Sequence, residues 1–247
     1  MHCKNVKKVL LLRKGKEMSN IEVGRETIKE QEDHKKDIKL QVSIEHYSFE
    51  RYMYKGRWMS YYYQVSEAMK AGCKTFLYIG KGDGLVVAVL KELLKENGVV
   101  DTLDFDAEMH PTYVGDIKYL DKIVDKKYDC VICCQVLEHI DWKYFEKIIR
   151  DIRKICKKKF ILSLPQRKKS FGGRIDISFF HLSCEIVFPK YFEEKLPPCK
   201  KEHLWEVNIK RHRCKDILSI VKKYFCIERK YVVAENTYHW FVIGVPY

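Results

Sequence analysis

No stretch of the chain approaches the roughly 18 consecutive apolar residues that a helix needs to cross a bilayer. The run Val9-Leu10-Leu11-Leu12 is too short for the apolar centre of a secretory leader, which takes about 7–15 residues, and charges flank it. These absences predict a cytoplasmic protein. No internal repeat or low-complexity tract is present, which excludes repeat arrays and compositionally disordered chains. The 10 cysteines have no spacing that suggests a disulfide framework. Cys130, Cys133 and Cys134 sit in an apolar run, where a reduced thiol behaves as a small buried hydrophobe. Acidic residues are also scarce. Asp and Glu number 34 against 47 Lys and Arg, a formal charge of +13. Residues 157–230 hold 19 Lys and Arg against 8 Asp and Glu, most of that excess. Such a stretch favours anionic partners, namely nucleic acid, a phosphorylated metabolite or an acidic membrane face, or is a solvated basic surface and no more.

What is there is enough for one substantial core: 247 residues, 46% of them apolar. Residues 1–45 are polar and rich in Lys and Glu, and read as a separate extension. Between Tyr47 and Gly72, Tyr52, Tyr54, Trp58, Tyr61, Tyr62, Val65 and Met69 fit an amphipathic helix closed by glycine. Strands and helices then alternate. Thr75–Ile79 reads as a strand, Gly84–Glu96 as a helix, and Val99–Leu103 as a strand. Tyr113–Val114 is a very short strand, and Tyr128–Val136 is a strand buried on both faces. Asp141 caps a helix running to about Lys157, and Phe160–Leu164 is the next strand, stopped by Pro165. This rhythm predicts an α/β fold, a parallel sheet with helices on both faces. It breaks at residues 165–211, which hold Gly172-Gly173, Pro189 and Pro197-Pro198 and read as an irregular functional insertion. Lys215–Tyr224 then reads as a helix. Cys226–Ala234 and Tyr238–Val245 read as an antiparallel hairpin at the sheet edge.

The turn Gly80-Lys81-Gly82-Asp83-Gly84 leaves the first strand and opens a helix. Glycines there let backbone approach a ligand closely, and the helix start offers unpaired amides. The spacing is G-x-G-x-G. The G-x-G-x-x-G of dinucleotide folds is missing, which argues against a nicotinamide-dependent oxidoreductase. Asp104 ends the second strand 24 residues after Gly80, where an acid can accept both ribose hydroxyls of an adenosyl ligand. Gly115-Asp116-Ile117 follows the third strand, placing Asp116 to accept from an adenine amino group and Ile117 to pack on the ring.

Taken in order, these motifs resemble class I S-adenosylmethionine-dependent methyltransferases, in particular the type-11-like branch. The fourth-strand run ending Leu137-Glu138-His139 and the helix Lys147–Ile155 belong to the same pattern. Arg57–Gln64, His203–Glu206 and Glu235–His239 are similar to segments of an unassigned bacterial and archaeal subgroup. The resemblance spans residues 46–247. It implies a Rossmann-like seven-stranded sheet, a helical N-terminal extension and a cap inserted after strand five. It further implies S-adenosylmethionine as cofactor, held by Ile79, Gly80, Lys81, Gly82, Gly84, Asp104, Phe105, Asp116, Ile117 and Gln135. Tyr78 stands where the family has an acid that helps to hold the methionine end of the cofactor, and Lys81 is placed to meet the cofactor carboxylate instead. Lys157-Lys158-Lys159 replaces the usual Pro-Gly-Gly before strand five, a change in a surface turn.

Glu138, His139, His203 and Glu206 are the acceptor-side candidates. His239 and the tyrosines at 61–63 are polar or pocket-lining alternatives to plain core. Some relatives bind a divalent metal through Glu-x-x-Glu-His. With Gln135 in the first place, one carboxylate and one imidazole make a poor hard-cation site, so no metal is expected. His181, Cys184, Cys199 and His203 have a spacing compatible with zinc, though His203 already belongs to the resembling segment. The expected activity is methyl transfer to a small-molecule or polymer acceptor. The alternative is a non-catalytic module of this fold that binds RNA through its basic C-terminal half.

Overall fold

The computed structural model describes residues 49–70, 72–167, 170–177, 182–189, 203–209 and 212–247. The polar extension at 1–45 lies outside the described residues, as do His181 and Cys199 of the zinc-compatible set. Nine strands and six helices follow in chain order among those residues: α1 Phe49–Tyr52, α2 Lys55–Lys70, β1 Thr75–Ile79, α3 Leu85–Leu94, β2 Val99–Asp104, β3 Tyr113–Val114, α4 Leu120–Ile123, β4 Tyr128–Cys134, α5 Phe145–Ile155, β5 Cys156–Pro165, β6 Ser170–Ile177, β7 Leu182–Pro189, α6 Cys214–Val221, β8 Phe225–Val233 and β9 Asn236–Pro246.

Seven strands form one sheet in the order β3-β2-β1-β4-β5-β9-β8. The first five are parallel, and β9 runs antiparallel to both neighbours. The sheet is buried on both sides, and residue alternation sorts its side chains into two cores. Leu77, Ile79, Val131, Cys133 and Leu162 pack on one face with α4, α5 and α6. Phe76, Tyr78, Cys130, Ile132 and Ile161 pack on the other with α2 and α3. The nearly unbroken apolar stretches Cys130–Cys134 of β4 and Phe160–Leu164 of β5 follow from this, because neither face meets water there.

Three sequence expectations are corrected. The lysines at 157–159 do not form a turn; β5 begins at Cys156 and runs through them, with Lys157 and Lys158 exposed. Lys158 pairs with Asp129, and Lys159 pairs with Glu228 of the edge strand. The insertion after β5 is not irregular throughout, since β6 and β7 pair as an antiparallel two-stranded sheet, Gly172 opposite Val187 and Gly173 opposite Ile186. Asp141 caps a 3₁₀ turn at Trp142–Tyr144, accepting from the Lys143 amide at 3.0 Å, and α5 proper starts only at Phe145.

Candidate active site

Parallel sheets of this kind hold ligands beyond the carboxyl ends of their strands, at the point where strand order reverses. Here β1 and β4 are neighbours and the order departs in both directions from them. The Gly80–Gly84 turn sits at that point. Gly80, Gly82 and Gly84 have φ of 78, 53 and 74°. At Gly80 the demand is also steric, since a Cβ would lie 2.3 Å from Cγ2 of Val136, just beyond β4. Gly80 thus lets the turn close against the end of β4, and α3 opens at Leu85 with its amide held by Asp83 Oδ1 at 3.0 Å.

Asp104 points into this turn. Its Oδ2 accepts from the Lys81 amide at 2.7 Å and its Oδ1 from the Asp106 amide at 3.0 Å. Burial raises its carboxyl above the ordinary aspartate value, and the amides of Asp106, Lys81 and Gly82 act against that rise. A carboxylate has about four lone-pair sites, so these three amides leave room for a ligand hydroxyl. Phe105 follows at the rim, 40% exposed.

The other cofactor candidates fare unevenly. Asp116 caps a 3₁₀ turn, with Oδ1 accepting from the Lys118 amide at 2.8 Å and Oδ2 3.1 Å from the buried Lys118 ammonium. Ile79 and Ile117 are buried in the core. Gln135 takes a left-handed backbone, φ 58°, and its Nε2 donates to Ser163 Oγ at 2.8 Å. The Lys81 ammonium is engaged elsewhere: it donates to the carbonyls of Met109 at 2.5 Å and His110 at 3.1 Å, folding the loop after β2 over the turn. Tyr78 is turned into the α2 core, where its hydroxyl donates to Gln64 Oε1 at 2.8 Å. Of the three tyrosines, Tyr61 is buried and donates to Asp83, Tyr62 is exposed, and Tyr63 packs on Tyr231.

A second constellation lies beyond β4 and β5. Glu138 is fully buried, and its carbonyl accepts from the Leu204 amide at 2.8 Å. The His139 and His203 rings meet edge to face with centroids 4.8 Å apart. Glu206, fully buried, lies 2.7 Å from His203 Nδ1, accepts from the Tyr238 hydroxyl at 2.8 Å, and pairs with Arg167. A carboxylate oxygen accepts, so the contact is one in which Nδ1 of His203 donates to Glu206, and Nε2 is the ring atom left for a ligand. Burial raises the Tyr238 hydroxyl, and the hydrogen bond to Glu206 adds to it. His239 is buried in β9 opposite Pro165.

The four acceptor-side candidates therefore converge, and Arg167 and Tyr238 join them unforeseen. Arg167 has no sequence signal beyond its position just after β5, and Tyr238 has only its place in the Glu235–His239 segment that resembles the subgroup. Ligand atoms of Glu138, His139 and His203 lie within 4.8 Å of one another, a set with the donors to meet a cation. The sequence argument against a metal counted Glu138 and His139 alone, and His203 supplies a third donor. The geometry also suits proton transfer, because the Glu206 contact orients the His203 ring.

A family profile described as a methyltransferase domain matches residues 77–164. Magnesium protoporphyrin IX methyltransferase from Synechocystis, solved with bound S-adenosylmethionine, superposes with a TM-score of 0.52 at 17% identity, covering 78% of this chain and 80% of that one. The PH0226 protein from Pyrococcus horikoshii gives 0.53 at 15% identity, covering 84% and 100%. A comparison with curated protein sequences returns no significant match.

Proposed function

We propose, from the premise that this chain is a class I S-adenosylmethionine-dependent methyltransferase whose matched domain spans residues 77–164, that it methylates an acceptor bearing a removable proton on oxygen or nitrogen. The residues fit the cofactor. The observation that carries the reading is the Asp104 carboxylate lodged in the glycine turn at the carboxyl end of the sheet. Bound S-adenosylmethionine supplies an electrophilic methyl group. In this reading Asp104 accepts from the ribose hydroxyls, Phe105 covers the adenine, and the amides at the start of α3 line the turn. The chain's task is then to orient the acceptor and to shield the transfer from water.

On the acceptor side, His203 takes the acceptor proton at Nε2. Glu206 holds the ring through Nδ1 and stabilises the imidazolium that results, and Tyr238 and Arg167 keep Glu206 in place. Glu138 and His139 complete the floor of that side. The β6–β7 hairpin belongs to a cap over residues 165–211 that selects the acceptor.

Calorimetry with S-adenosylhomocysteine tests the assignment, with NAD as the control. Binding of the first and not of the second is expected. An absence of S-adenosylhomocysteine binding at millimolar ligand would overturn the reading in favour of a non-catalytic module. The acceptor side is tested with His203→Ala. This variant should retain S-adenosylhomocysteine affinity and lose about 10²–10⁴-fold in transfer of tritiated methyl to the acceptor fraction that the wild type labels.

A further inference from the structure

The methionine end of S-adenosylmethionine carries a carboxylate, and Lys81, the residue that the sequence suggested for it, is directed elsewhere, while Tyr78 stands in place of the family's acid. Tyr78 is buried against Gln64, and the Lys81 ammonium is bound to the carbonyls of Met109 and His110. Another cation stands nearby. Arg57 lies in the first turn of α2, and that end of the helix packs at the carboxyl end of β5. There β9 starts, with His239 opposite Pro165, and Asn236 Nδ2 donates to Ser60 Oγ at 3.0 Å. One turn further along α2, Tyr61 donates to Asp83 inside the glycine turn.

The Arg57 guanidinium lies over the Tyr52 ring, 4.1 Å from its centroid, with Tyr54 at 5.9 Å. Burial raises the hydroxyls of both Tyr52 and Tyr61. Arg57 lowers them and Asp83 raises them, which brackets the two phenols between one cation and one carboxylate. Arg57 Nε is buried and finds no hydrogen-bond acceptor among the described residues. A buried guanidinium nitrogen left in this state costs free energy unless a ligand satisfies it.

We propose that Arg57 binds the amino-acid carboxylate of the cofactor, the role that Lys81 does not fill. The planar fork matches a carboxylate, the aromatic faces of Tyr52 and Tyr54 hold the fork in one orientation, and α2 places it beside the glycine turn. Asp83, tied down by Tyr61, is the carboxylate on the same side of the turn, suited to the cofactor's ammonium group. The inference rests on the cofactor reading above and assigns one subsite within it.

The test compares two ligands that share the adenosyl thioether and differ in the amino-acid part: S-adenosylhomocysteine and 5′-methylthioadenosine. Calorimetry is run on the wild type, Arg57→Gln and Arg57→Lys. In Arg57→Gln, S-adenosylhomocysteine affinity falls by about tenfold or more, while 5′-methylthioadenosine binds as it does to the wild type, which also shows that the pocket is intact. Arg57→Lys recovers part of the loss. Equal weakening of both ligands, or an unchanged S-adenosylhomocysteine affinity in Arg57→Gln, overturns the assignment and leaves the cofactor reading standing. A wild type that binds neither ligand overturns both.

Discussion

Asp104 answers two demands at once. It must hold the glycine turn through backbone amides, and in the proposed complex it must keep charge enough to attract ribose hydroxyls. Burial raises its carboxyl, so on acidification it takes up a proton sooner than an aspartate of the unfolded chain. Two consequences of opposite sign follow. In the free protein the ionised carboxylate works against folding at neutral pH, and that penalty fades as pH falls through the raised value. For the ligand, the ionised form is the one that binds, so S-adenosylhomocysteine affinity should fall over the same acid range. Asp104→Asn should bind about tenfold or more weakly at pH 7, a charge-assisted hydrogen bond having been lost, and should show little dependence on pH across that range. Calorimetry at several pH values checks both, and a wild-type affinity flat down to the ordinary aspartate range would contradict them. Gly80 makes a different single-residue prediction. Alanine there meets a left-handed backbone, costing about 1–2 kcal/mol, and a Cβ close to Val136. Gly80→Ala should lower the melting temperature by several degrees. Adding Val136→Ala should recover the steric part only.

At the scale of elements, α2 is held over its face of the sheet by a buried acid. Glu67 pairs with Arg229 and accepts from the Tyr231 hydroxyl at 3.3 Å, tying the helix to β8. Arg229 is half exposed and can return to water, whereas the Tyr231 hydroxyl, raised by burial and then by the Glu67 charge, is left without that acceptor. Glu67→Ala should therefore cost about 1–3 kcal/mol in urea unfolding, with faster amide exchange concentrated in α2. Much of this architecture was legible in the chain. The pair Phe76/Tyr78 against Leu77/Ile79 is a two-residue alternation between cores, and β4 is nearly all apolar because both of its faces are covered. What was not legible depended on partners distant in sequence. Lys157, Lys158 and Lys159 read as a turn because three cations in a row have no apolar signal, yet Asp129 and Glu228 pair with two of them along a strand. The β6–β7 hairpin was hidden by Gly172-Gly173, which weaken a strand signal without forbidding a two-stranded pair. At the site, Asp104 and the glycines announced themselves by spacing. The junction of His203 with His139, and of Glu206 with Arg167 and Tyr238, is set by where the ends of β4, β5 and β9 meet, which no local pattern encodes.

For the whole molecule the question is what the charge of +13 is for. The excess in residues 157–230 suggested a surface for RNA, but several of its cations are already committed. Lys158, Lys159, Arg167, Arg213, Lys223 and Arg229 all sit in ion pairs, some with acids outside that stretch, such as Asp129, Glu146 and Glu67. Among the described residues no helix is long and apolar enough to cross a membrane. The two functional readings differ in how binding should respond to salt. A polyanion bound through lysines and arginines releases condensed counterions, and its affinity falls steeply as salt rises. An adenosyl ligand with one carboxylate and one ammonium group displaces few ions and loses little. Binding only the native state, S-adenosylhomocysteine at about 100 times its Kd should add about 2.7 kcal/mol of stability. For a domain of this size that is a rise of roughly 5–11 °C in melting temperature. The rise should persist in 0.5 M salt, whereas any shift given by a single-stranded RNA should vanish there. Melting curves with each ligand at low and high salt separate the readings. An RNA-only shift that salt abolishes would leave the basic half as the functional surface and remove the enzyme from the account, while a salt-resistant shift with S-adenosylhomocysteine makes the basic stretch, at most, the selector of an anionic acceptor.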